Sequence, residues 1–89
     1  MYRIVLACTG IPAAEGQSGA VCIQEEFTHR PWHSNVTIEW NGSQLILQAA
    51  NDFDSDGLAL VDEFSDAISD CISNVGDGDI VVISVTARP

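Results

Sequence analysis

Residues 52 to 63 read DFDSDGLALVDE and match the spacing D-x-[DN]-x-[DN]-G-x5-E, which arranges oxygen donors around a hard cation. In that arrangement Asp52, Asp54 and Asp56 supply carboxylates, Gly57 makes the sharp turn, Leu58 offers its carbonyl and Glu63 closes the shell with two oxygens. Calcium is the ion such a donor set takes. The same residues have a second use: Asp54, Ser55 or Asp56 can cap a helix that begins near Gly57, leaving Asp62 and Glu63 on its solvated side. The two uses differ in the leucines. Ligation keeps Leu58 and Leu60 in an unwound loop, whereas capping starts the helix there and turns both toward the core.

The twelve residues resemble the loop of an EF-hand, and the resemblance extends no further along the chain. It departs from that family in the strand-like segment before it (Leu45 to Ala50), in Ala59 where a bulky aliphatic is usual, in Leu60 where a polar ligand or water holder is usual, and in the lack of a second loop.

A second cluster, HRPWH, holds His29, Arg30, Trp32 and His33 within five residues. Trp and Arg are the side chains that most often anchor a protein partner. With Asp52, Asp54 and Asp56, the two imidazoles would also make a mixed nitrogen and oxygen metal site. Pro31 between them rules out the simple helical spacing of such pairs. Cys8 stands beside Thr9 and Gly10 without a second cysteine two residues away, and no phosphate-binding loop, nucleophile elbow or dinucleotide fingerprint occurs. A non-enzymatic chain is expected.

The charge balance narrows the partners. Thirteen acidic residues against three Arg and no Lys give a net charge of −10. Such a field repels phosphate backbones and anionic lipid, so neither nucleic acid nor a membrane surface is an expected partner and a basic protein is. The stripe Asp62, Glu63, Asp66 and Asp70 supplies an acidic surface for one. It also suits an alternative, a mimic of nucleic acid that occupies a basic protein. Cys8, Cys22 and Cys71 are odd in number and far apart, a pattern expected of reduced core thiols in a cytoplasmic protein. Only Ile4 to Ala7 resembles the apolar part of a secretory signal, against the roughly 7 to 15 residues such a signal needs.

The elements that must position these residues follow from periodicity. One domain, 1–89, is expected, small enough to hold a single core. Tyr2 to Cys8 and Asp79 to Thr86 read as strands rich in Val and Ile, and Val36 to Trp40 joined to Ser43 to Ala49 by Asn41-Gly42 reads as a hairpin. A two-residue turn there pairs Trp40 with Ser43 and Ile38 with Leu45. Leu58 to Val75 repeats apolar residues at helical spacing, and a second helix is expected from about Ser18 to Thr28, or from as early as Pro12, with a strand over Ala20 to Phe27 as the alternative.

The resulting order, β-α-β-β-α-β, predicts an α+β ferredoxin-like sandwich, a four-stranded antiparallel sheet with two helices on one face. That topology gathers Arg3, Arg30, Arg88 and both His at the end of the sheet that carries Asp52, Asp54 and Asp56. Either the carboxylates converge on a cation or the Arg side chains neutralise them. Val5 and Ile46 would face away from the helices, leaving a sheet face suited to a homodimer.

Overall fold

The computed structural model describes residues 1–72 and 78–87. Its elements run β1 (Tyr2–Cys8), α1 (Ala13–Phe27), β2 (Ser34–Trp40), β3 (Leu45–Asn51), α2 (Leu58–Cys71) and β4 (Ile80–Ala87). The strands form one antiparallel sheet in the order β2-β3-β1-β4, the expected ferredoxin-like sandwich. Alternation along the strands decides what the core contains. Ile4, Leu6, Cys8, Leu45 and Leu47 point to the helices and are fully or almost fully buried, meeting Ala20, Ile23 and Phe27 of α1 and Leu60, Phe64 and Ile68 of α2.

The segment from Ser18 is helical as far as Phe27, with Thr28 at its C-cap, and α1 begins at Ala13, directly after Pro12, the earlier of the two expected starts. Gly16 and Gly19 weaken helix propensity there, and packing overrides it. The Trp40 indole lies against Gly16 so closely that a Cβ at that position would fall 2.2 Å from the ring. The glycine is what lets a β2 tryptophan lie flat on the helix.

The β2–β3 connection differs from the expected turn. Trp40 pairs with Leu45 and Ile38 with Leu47, two residues away from the two-residue-turn register. Gly42 has φ of 98° but Asn41 does not adopt positive φ, so the type I′ turn, which needs it at both centres, is not formed. The Asn41 side chain instead accepts hydrogen bonds from the backbone N–H groups of Ser43 (3.0 Å) and Gln44 (2.8 Å), closing a longer loop. A shift of two keeps every side chain on its face, so Val36, Ile38 and Trp40 still meet the core.

The cysteines require a larger correction. Cys22 of α1 and Cys71 of α2 form a disulfide across 49 residues, with Cα atoms 5.8 Å apart, and only Cys8 is a buried free thiol. Spacing along the chain gave no sign of this, because the bond depends on how two helices pack. No helix among the described residues is long and apolar enough to cross a membrane. Val75 and Arg88 lie outside the described residues.

Candidate functional site at the base of the sheet

At the end of the sheet where β1 starts and β3 finishes, three of the side chains singled out above, Arg30, Trp32 and His33, meet on Glu63. His33, whose side chain is fully buried, contacts the Glu63 carboxylate through Nε2. The Trp32 indole N–H donates to Glu63 Oε1 at 3.0 Å, and Arg30 Nε stands 3.6 Å from the same oxygen. Glu63 is drawn in from the otherwise exposed acidic face of α2, where Asp62, Asp66 and Asp70 point to solvent.

The orientation of His33 is fixed from the main chain outward. Asn51, buried at the end of β3, accepts the backbone N–H groups of Phe53 (3.2 Å) and Asp54 (2.8 Å) with Oδ1. Its amide nitrogen must then face His33 Nδ1, at 3.2 Å. An NH2 group only donates, so Nδ1 accepts and Nε2 carries the proton directed at Glu63. Phe27, Trp32 and Phe53 surround the imidazole, with ring centroids 5.9, 6.1 and 6.0 Å away. Both ring nitrogens are engaged and the ring is enclosed, leaving His33 no path to a substrate. It is a structural joint between the loop before β2, the end of β3 and α2.

The acidic segment is organised for capping. Gly57 sits at φ of 81°, a left-handed conformation that favours glycine, and α2 starts at the next residue. The buried Asp54 accepts the N–H groups of Ala59 (3.2 Å) and Leu60 (2.9 Å), while Asp56 accepts that of Leu58 (3.0 Å). Carboxylates here satisfy otherwise unpaired N–H groups and face the positive end of the helix dipole. Leu60 is in the core as capping requires, but Leu58 is exposed, because at helical spacing it falls on the same outer face as Asp62, Ser65 and Ser69.

The five residues of the cation spacing are therefore not brought together: Asp54 holds the helix, Glu63 holds the His29–His33 loop, and Asp52 and Asp56 lie at the surface. Among the described residues no group of three His, Cys, Asp or Glu is placed to hold a metal ion. Among the described residues, neither Arg3 nor Arg30 pairs with Asp52, Asp54 or Asp56. Arg3 donates to Gln48 Oε1 at 2.7 Å, and Arg30 spans the Glu63 carboxylate, the Glu26 carbonyl (2.8 Å) and the face of Phe27. His29 is exposed at the end of α1.

Sequence reasoning missed Asn51 and Phe53. Asn51 opens the polar loop and carried an available signal, an amide immediately before a helix-capping run; Phe53 reads as part of the cation spacing and carries none.

At the rim of this network stand two aromatic side chains, Trp32 and Phe53, each 52% exposed. Their rings flank a buried imidazole, and carboxylates lie around them. No family model matches the chain, and no curated protein is detectably similar to it.

Proposed function

We propose that the chain is a non-enzymatic interaction domain that takes a basic protein partner on the base of the sheet and the adjoining acidic face of α2. The observation that supports this reading is Trp32, half exposed yet tethered by its N–H to a carboxylate that also holds His33 and Arg30. A large aromatic held in one position loses little freedom on binding, and Trp beside Arg is the composition of interface hot spots. Phe53 extends the apolar area. Asp62, Asp66 and Asp70, each a helical turn or about 6 Å from the next, supply charge for a cationic rim.

The test is a titration of the protein with arginine-rich peptides, with and without aromatic residues, followed by tryptophan fluorescence at low and high salt. Salt-sensitive binding that weakens at least tenfold in Trp32→Ala is expected. Affinity unchanged by that substitution, or no binding across the panel, would overturn the reading.

Calcium ligation by Asp52, Asp54, Asp56, Leu58 and Glu63 is the weaker reading, since Asp54 and Glu63 already direct their oxygens to α2 and to the loop before β2. A melting temperature raised by millimolar calcium would revive it. The expected cytoplasmic location rested on reduced thiols, and the Cys22–Cys71 bond favours an oxidising compartment instead.

A further inference from the structure

The joint at the base of the sheet is built for a neutral imidazole. His33 directs the proton on Nε2 at Glu63, and its Nδ1 accepts from the Asn51 amide nitrogen at 3.2 Å. The same amide has a second duty. Its Oδ1 accepts the N–H groups of Phe53 (3.2 Å) and Asp54 (2.8 Å) and so holds the turn that leaves β3. One side chain thus serves two sites with opposite needs, an acceptor toward the turn and a donor toward the ring. Those needs agree only while Nδ1 carries no proton.

A second proton on His33 ends that agreement. Both nitrogens of an imidazolium donate, so the new N–H at Nδ1 meets the NH2 group of Asn51. His33 and Asn51 are both buried, and bulk solvent does not supply the missing acceptor. Turning the amide over gives Nδ1 an oxygen but aims NH2 at the N–H groups of Phe53 and Asp54, which then lose theirs. Either arrangement sets buried donors face to face, and such groups are costly to leave unpaired.

The charged groups around the ring do not relieve the conflict. Glu63 of α2 meets Nε2, and Arg30, from the loop before β2, stands against the other oxygen of that carboxylate. Asp54 spends its carboxylate on the N–H groups of Ala59 and Leu60. From α1 comes the ring of Phe27, and Tyr2 of β1, opposite Asn51 in the register, supplies no carboxylate. Among the described residues, Asn51 is the only hydrogen-bond partner of Nδ1.

We propose that His33 and Asn51 form a proton-operated latch, in which a second proton on His33 turns the Asn51 amide and releases the loop 51–57 that carries Phe53. The pairing of His33 with Glu63 becomes an ion pair and keeps the loop before β2 in place. The opening extends to the start of α2, because Asp54 caps its first turn. The latch operates on the chain alone and needs no partner docked at the base.

Hydrogen exchange and NMR of the full chain from about pH 8 to 5, the interval in which imidazole ordinarily changes charge, test this. With the intrinsic pH dependence of exchange divided out, the Phe53 and Asp54 amides should lose protection about tenfold or more as the His33 ring passes from its Nε2–H tautomer to imidazolium. Amides of β1 should keep theirs, which separates local opening from unfolding. His29→Gln, at an exposed position, should leave the transition intact. Asn51→Asp retains an acceptor for both backbone N–H groups and offers a second to Nδ1, so acid should no longer open its loop. Unchanged protection of Phe53 and Asp54 while His33 takes up its proton, or acid opening that persists in folded N51D, would overturn the latch. A ring that stays neutral throughout, an Nδ1–H tautomer at neutral pH, or β1 amides exposed at the same pH would do the same.

Discussion

The β2 side of the sheet is tied down at every level and the β4 side is left open. On the first side Gln24 occupies part of the edge and the Asn51–His33–Glu63 chain joins the start of β2 and the end of β3 to α2, while the Cys22–Cys71 bond locks the two helices together across the sheet. On the other side an uncharged strand ends the sheet with two large aliphatic side chains in solvent. The difference shows a division of labour: a chain of this size, with a thin margin of stability, concentrates its specific interactions on one flank. Substitutions on that flank should change stability more than substitutions at the exposed positions of β4.

The largest effect should come from the covalent tie. Closing 49 residues into a loop stabilises by roughly 4 kcal/mol in the chain-entropy picture, so Cys71→Ser or reduction should lower the denaturant midpoint more than any other change on this flank. A fall below about 1 kcal/mol would show that the helix layer is held by packing alone.

Next is Asn51→Ala, which leaves two backbone N–H groups and His33 Nδ1 without their partner. A loss of about 2 to 3 kcal/mol is expected for stranded buried polar groups, along with weakened protection of the Phe53 and Asp54 amides in hydrogen exchange. Unchanged protection would place the order of that loop elsewhere.

Gln24→Ala should cost only about 1 kcal/mol, the scale of exposed hydrogen bonds, yet it sharpens the comparison most. It uncovers main-chain groups on the β2 edge, and concentration-dependent assemblies should then become visible by light scattering. Scattering unchanged from that of the parent chain would mean Gln24 does not protect that edge.

The smallest effect concerns Cys8, opposite Ile80 on the lightly braced side. Burial first, and Asp79 second, raise its thiol above the ordinary value of 9.0. In the unfolded chain the thiol therefore ionises first, so stability falls as pH rises from the unfolded value through the folded one. Cys8→Ala should flatten that alkaline slope in denaturant titrations, and an unchanged slope would assign it to other groups.

Strand and helix periodicity made the sandwich legible from sequence, and with it the gathering of the His29–His33 loop and the acidic loop at one end, because alternating apolar side chains have only one consistent way to be buried. Capping by Asp54 and Asp56 was readable for the same local reason, since the N–H groups they satisfy lie within six residues. The hairpin register was not, because whether the Asn41 side chain or its backbone closes the turn depends on close competition between local conformations.

What only the tertiary structure decided involves partners far apart in the chain. The sequence placed Glu63 in a cation loop, with Arg3, Arg30 and Arg88 as the alternative to a cation in neutralising Asp52, Asp54 and Asp56; packing turned Glu63 toward His33 and Trp32, thirty and thirty-one residues away. It joined Cys22 to Cys71 and laid Gln24 along β2. Periodicity reports which face of an element is buried, but not which side chain of another element it meets there. That pairing depends on the distance and angle between packed layers, which exist only after the chain has folded.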